Sequence, residues 1–237
     1  MYKSQKEIEQ YLKETDSKNI DWNKISKFKY LSESFIKEHK DLLNWYWISR
    51  CQKLSESFIE ENKKIVNWHW ISRYQKLSVA FIEEHEDLID WWRIQQFQKL
   101  SESFMENHKE EKTFYWDTIS KCQKLSEAFI GKYKDLVDWK KISEYQKLSG
   151  VFIGKHKDLV DWEKIPEYQK LSETFIEKYK DLVDWDYISK YQKLSESFIE
   201  KHKDLVNWSL LFAYDKISDE FKLKHNKKRK LFLRMQY

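Results

Sequence analysis

Six histidines recur at one position of a repeating pattern: His39, His85, His108, His156, His202 and His225, with Tyr133 and Tyr179 at the same position in two further copies. Imidazole can hold a metal or move a proton near neutral pH. A metal centre needs two or more ligands converging in one coordination sphere, whereas these histidines stand a whole copy apart and tyrosine replaces them freely. The column therefore predicts no metal site. The Asp two residues on (Asp41, Asp87, Asp135, Asp158, Asp181, Asp204) faces elsewhere on a helix and completes no dyad. No HExxH, GxSxG, phosphate-binding Gly loop or CxxC pair occurs, so the sequence offers no enzyme and no cofactor site.

A second column is Gln52, Gln75, Gln98, Gln123, Gln146, Gln169 and Gln192. A recognition code would vary from copy to copy. This column is constant, which predicts a buried ladder that satisfies backbone groups of loops. Lys29 and Asp215 take its place in the first and last copies.

One stretch departs from the monotony in a way that could bind something. The two positions after the recurrent Trp are mostly polar, as in Lys140/Lys141 and Glu163/Lys164, but in copies two to four they read Tyr46/Trp47, His69/Trp70 and Trp92/Arg93. Arg50 and Arg73 stand one helical turn after Trp47 and Trp70, so aromatic and guanidinium groups are expected along one stretch of helix surface. Such a patch of Tyr46, Trp47, Arg50, Trp70, Arg73, Trp92 and Arg93 can grip a peptide or a neighbouring chain, stack on unpaired bases, or simply cover repeat junctions.

The formal net charge of +4 is uneven. Residues 222–237 carry seven cations (Lys222, Lys224, Lys227, Lys228, Arg229, Lys230, Arg234) and no acid, which leaves −3 for residues 1–221. A nearly neutral array argues against a duplex-DNA binder, which needs a basic stripe. The expectation is a non-enzymatic scaffold for another protein. The alternative is single-stranded nucleic acid or RNA held by the aromatic/Arg patch and the basic tail.

The elements that must carry these columns follow from the period. Nine tryptophans (Trp22, Trp45, Trp68, Trp91, Trp116, Trp139, Trp162, Trp185, Trp208) are spaced by 23 residues, with one step of 25. A period in the twenties marks one small unit stacked on the next, a solenoid. Three glycines and one proline in 237 residues point to helices. Asp or Asn precedes the Trp in eight copies and can cap a helix A; Tyr115 is the exception. Serine caps a helix B in all nine: Ser32, Ser55, Ser78, Ser101, Ser126, Ser149, Ser172, Ser195 and Ser218. Apolar pairs straddle both caps as hydrophobic staples, Val183 with Ile188 and Leu194 with Ile199 in the clearest copy.

The predicted fold is thus an all-α solenoid of about nine αα-hairpins; the runner-up is a strand plus a single helix per copy. Helix A presents Trp185, Ile188 and Gln192 inward, and helix B presents Phe198, Ile199, His202, Leu205 and Val206. Pro166 is expected to shorten one helix A. Two extra residues between His108 and Trp116 lengthen one inter-repeat loop. Residues 1–20, with Ile8, Tyr11 and Leu12, read as an N-terminal capping half-repeat; 21–221 are the solenoid, and 222–237 a basic C-terminal tail. Cys51 and Cys122 fill a slot otherwise held by tyrosine and read as small apolar substitutes, not a disulfide. No run of about 18 apolar residues exists and no secretory signal opens the chain, so no membrane contact and a cytoplasmic location are expected.

The motif W-x-x-I-S-x-x-Q-x-L-S-x-x-F-I, quoted best by Trp185, Ile188, Ser189, Gln192, Leu194, Ser195, Phe198 and Ile199, resembles tandem-repeat proteins of giant DNA viruses of protists, mimivirus relatives among them. The resemblance covers residues 22–221. It implies the repeat architecture and a location in the host cytoplasm or viral factory, and it carries over no catalytic or binding residue.

Overall fold

A computed structural model describes residues 4–28 and 30–225 of the chain. Among them are nineteen α-helices, one short 3₁₀ turn and no strand, an α-helical repeat solenoid. The strand-plus-helix alternative is excluded for these residues. Two compact units are distinguished, Met1–Gln123 and Lys124–Tyr237.

In the first unit the leading helix Gln5–Glu14 is followed by A-helices Trp22–Ser26, Trp45–Cys51, Trp68–Tyr74, Trp91–Phe97 and Trp116–Cys122. They alternate with B-helices Glu33–Glu38, Glu56–Glu61, Val79–Glu84 and Glu102–His108. The second unit holds B-helices Glu127–Lys132, Gly150–Lys155, Glu173–Lys178, Glu196–Lys201 and Asp219–Lys224 and A-helices Trp139–Tyr145, Ile165–Tyr168, Trp185–Tyr191 and Trp208–Ala213. Lys222 and Lys224 thus belong to the last B-helix. The other tail cations, Lys227, Lys228, Arg229, Lys230 and Arg234, lie outside the described residues, as does Lys29.

Capping sets these boundaries. Every one of the nine serines accepts the N–H of the Phe three residues on, as Ser149 does from Phe152 at 3.1 Å. The Asp/Asn caps accept first-turn N–H groups, and Tyr115 makes no such bond. Helices of six or seven residues are too short to persist alone, so burial between copies must hold them. Within each copy the isoleucines of both helices, such as Ile188 and Ile199, are fully buried, with Val183, Leu194 and Phe198 beside them. A-helices of successive copies pack on one another within each unit.

Two departures from expectation have simple causes. Leu205 is 47% exposed, as are its equivalents Leu42, Ile65 and Leu88 to a similar degree. The B-helix ends at Lys201 with His202 as C-cap, so Leu205 lies on a turn where helical phase no longer applies. The nine tryptophans are half-buried rather than enclosed. Trp139, for example, stacks on Phe152 of its own hairpin while its Nε1 donates to the Lys134 carbonyl at 2.7 Å, tying down the loop it follows. As expected, Pro166 shortens its A-helix, to four residues, because the first turn after Trp162 is a separate bend anchored on the Asp161 carboxylate.

Three ladders bind copy to copy. Gln75 Nε2 donates to the carbonyls of Ser49 and Gln52 at 3.1 and 2.9 Å, while its Oε1 accepts the Leu54 N–H at 2.9 Å. It thereby satisfies three buried groups of the preceding copy's A–B loop, and Gln52, Gln98, Gln123, Gln169 and Gln192 make the same set. The column is scaffold, as its constancy implied. The A-helix serine works forward: Ser49 Oγ accepts the Asn67 N–H and Ser143 Oγ the Asp161 N–H, both at 2.9 Å. The first B-helix residue also works forward, Glu33 Oε1 accepting the Ser55 N–H at 2.6 Å. Gln5 of the leading helix does this for Ser32 at 2.8 Å, with Ile8 fully buried beneath it. Where the loop is two residues longer, the serine slot holds Gln95, whose longer side chain donates to the Thr113 carbonyl and accepts the Tyr115 N–H, at 2.6 and 2.8 Å. The insertion and the odd residue in the ladder compensate each other.

Candidate functional site

The outward positions of helix A are set by its buried ones. Ile48 and Ser49 face the interior, so Tyr46, Trp47 and Arg50 turn toward solvent, and the same register repeats one period on. Copies two to four use these slots to build a continuous aromatic and cationic strip.

Its geometry is a sandwich. Lys27 Nζ lies 4.5 Å from the Trp47 ring; the Arg50 guanidinium lies 5.3 Å from Trp47 and 4.9 Å from Trp70. Tyr46 meets Trp47 and Trp70 edge-on at 5.0 and 5.5 Å. Trp70 stacks on Tyr74 at 5.6 Å; Arg73 sits over Tyr74 at 5.1 Å and Phe97 at 4.6 Å; Arg93 covers Trp92 at 4.3 Å. Cation–π contacts of this kind fix the cations without neutralising them. The strip brings all seven sequence-derived residues, Tyr46, Trp47, Arg50, Trp70, Arg73, Trp92 and Arg93, into one set of contacts.

Sequence reasoning missed two members, Tyr74 and Phe97. Both sit in the slot that Cys51 and Cys122 also occupy, and that slot reads as interior filler when only its apolar character is considered. Both cysteines are free thiols, and burial raises the Cys122 pKa. Tyr46, Tyr74, Trp92 and Phe97 are 39%, 46%, 42% and 43% exposed, whereas the tryptophans 47 and 70 and the three arginines are half-buried.

The electrostatics are one-sided. Arg50 and Arg73 form no ion pair among the described residues, and the Arg93 guanidinium donates to the Gln96 amide oxygen at 3.3 Å while its backbone N–H caps on Asp90. The Nε atoms of Arg73 and Arg93 are buried without an acceptor. The one carboxylate in the strip, Asp90, is engaged by His69 Nδ1 at 2.8 Å. A half-buried guanidinium that lacks a carboxylate retains its capacity to take one from another molecule.

The tail cations within view are different. Lys222 is held by Asp215 and Asp219, which raise its pKa through hydrogen bonding, and Lys224 lies 3.6 Å from Glu200. Both thus stand next to carboxylates of the chain itself.

The histidine column has carboxylate partners that the sequence reading did not find. They come from the previous copy's B-helix: Glu60 to His85 Nε2 at 2.6 Å, Glu177 to His202 at 2.7 Å and Glu200 to His225 at 2.9 Å. Hydrogen bonds from Lys63 and then His85 hold Glu60 below the usual carboxylate range, as Lys201 and then His202 do for Glu177. These braces are one-to-one between copies, and no group of three metal-ligating residues converges among the described residues. Nor, among those residues, is any helix long and apolar enough to cross a membrane.

Compared with known proteins, the chain matches no family model, no curated protein and no solved structure, so the geometry above is what a functional reading has to rest on.

Proposed function

We propose that the chain is a non-enzymatic repeat scaffold that holds a protein partner on the aromatic and arginine strip of copies two to four. One observation carries the reading: Arg50 and Arg73 are stacked between rings and lack a carboxylate, beside rings left 39–46% exposed. Ring faces and oriented guanidinium groups are the side chains that dominate protein interfaces, and a partner surface with aromatic or proline residues and one or two carboxylates would complement them. The corresponding slots of copies six and seven carry Lys140, Lys141, Glu144, Glu163 and Glu167, and copy eight sets only Tyr187 and Lys190 there, with Lys190 over Tyr191 at 4.7 Å and no arginine or tryptophan beyond the anchor.

The test is a pull-down under nuclease treatment, followed by affinity measurement with the recovered partner. Changing Trp47, Trp70, Arg50 and Arg73 together to Ala or Gln should abolish binding while helicity stays intact. Because these side chains are half-buried, the variant should melt a few degrees lower, and a matched control with Lys140, Lys141 and Glu144 changed should bind at wild-type strength. Deleting residues 222–237 should leave affinity and its weak salt dependence unchanged. A partner lost on nuclease treatment, or a salt slope flattened by that deletion, would replace the protein ligand by nucleic acid.

A further inference from the structure

The brace between copies fails at one place in a manner that leaves a shaped vacancy. Glu177 takes Lys201 Nζ and His202 Nε2 of the next copy, each at 2.7 Å, whereas Glu200 lies 2.9 Å from His225 Nε2 and 3.6 Å from Lys224 Nζ without making a hydrogen bond to either. One carboxylate thus satisfies a Lys-His pair. Two copies earlier the same pair is Lys155-His156, and the residue in the glutamate's slot is Gly131.

Nothing in the backbone or the packing calls for glycine there. Gly131 is inside the helix Glu127–Lys132, its φ is not positive, and an added Cβ would meet only His156 Nε2 and Phe152 at 3.7 Å, ordinary contact distances. The next copy makes the contrast: at Gly154 a Cβ would collide with the Tyr179 hydroxyl, which fills the space itself. At Gly131 nothing fills it. His156 is only 8% exposed, its ring is packed at 5.2 Å from Trp139 and 4.4 Å from Phe152, and its Nε2 is buried with no hydrogen-bond partner. His156 and Gly131 line a notch of about 380 Å³ together with Lys134, Lys155, Asp158 and Leu159. Lys134 and Lys155 form no ion pair among the described residues.

We infer that this notch is a binding site for a carboxylate group supplied from outside the chain, held by His156 Nε2 and Lys155 as Glu177 is held by His202 and Lys201. Lys134 adds a second cation and Asp158 on the rim opposes a second negative charge, so a single carboxylate is favoured over phosphate. Burial, then the neighbouring charges of Lys155 and Lys134, lowers the His156 pKa, and a bound carboxylate reverses that balance. The carboxylate is either a small free acid or the side chain of a peptide segment. The site lies apart from the aromatic strip and does not depend on it.

The test uses the full chain with labelled histidine rings, titrated by NMR with sodium acetate, with a short blocked peptide carrying one glutamate, and with inorganic phosphate, all at matched ionic strength. His156 signals should move saturably with acetate or the peptide, with its pKa rising by about one unit, while His85 and His202, already occupied, stay still. A peptide that binds several-fold more tightly than acetate identifies a protein-borne carboxylate, and equal affinity identifies a free acid. Gly131→Glu should abolish the response by filling the notch, and the exposed Lys155→Gln should weaken it several-fold with no change in helicity. Unmoved His156 signals, equal movement of all histidines, a stronger response to phosphate, or wild-type affinity in either variant would overturn the inference.

Discussion

Copies two to four and copies five to seven depart from the same template in opposite directions. The first group adds bulk: three of the five arginines and a run of rings occupy the outer slots of helix A. The second removes it, since all three glycines, Gly131, Gly150 and Gly154, lie on its B-helices. In both groups the glutamine ladder and serine caps continue unchanged beneath. The glutamine column is untouched by this variation, whereas Gly150 takes the slot of a forward-working glutamate and Gln95 and Pro166 that of the A-helix serine; an addition and a deletion are two ways to make a surface out of a scaffold. One offers rings and uncompensated cations, the other a cavity with an unanswered imidazole.

The comparison breaks if the shared framework is not what holds both groups. Gln75→Ala in the first and Gln169→Ala in the second should each destabilise by about 3–5 kcal/mol in urea unfolding, because each strands two carbonyls and one N–H away from water. Losses below about 1 kcal/mol in either group would show that water replaces the amide and that the ladder is incidental. Next in size are the rings. Trp139→Ala should cost about 2–3 kcal/mol, less than a fully enclosed tryptophan because the anchor is half-buried, whereas Trp70→Ala should cost about 1–2 kcal/mol. Equal losses would place the strip tryptophans among the structural anchors and weaken the case for a binding face.

Glycine substitutions sharpen the other half. Gly131→Ala should stabilise by about 0.5–1 kcal/mol, as a helix-interior glycine with room for a methyl does, while Gly154→Ala should destabilise because Tyr179 must move. The same sign for both in thermal melts would contradict the packing described. Smallest is a difference in pH dependence. The folded state lowers the pKa of Glu60 and Glu177, so the stability they contribute is present above pH ~4.3 and is lost as pH falls through the depressed folded values. His156 is also lowered, so an unfolded chain binds its proton first and stability begins to fall below pH ~6.5. Gly131→Glu should abolish that earlier loss and leave the later one, read as two separable arms in melting temperature against pH.

Much of this was legible because repetition supplies nine readings of each position. The two caps per period, the staples and the glutamine column each recur with one physical meaning, and they fixed the hairpin repeat. Leu205 was misplaced because extrapolating a helical phase past its C-cap has no structural basis, and the cap residue of that copy, His202, carries no stop signal of its own. The Glu–His braces were hidden since partners 25 residues apart meet only once the stacking register is known. Gln95 shows the signal that was available: it departs from its column in the one copy followed by an insertion, and coincident departures mark a compensating pair.

The glutamine ladder also sets the order in which the molecule can be finished as it is made. Each amide closes a loop that lies 21 to 28 residues earlier in the chain, so a copy leaving the ribosome has polar loop groups open until the next helix A arrives. At about 5–20 residues per second that interval is roughly 1–5 s. Completion therefore trails synthesis by one copy throughout, and a stalled chain presents at its growing end one unsealed loop, the natural place for a chaperone or a protease to take hold.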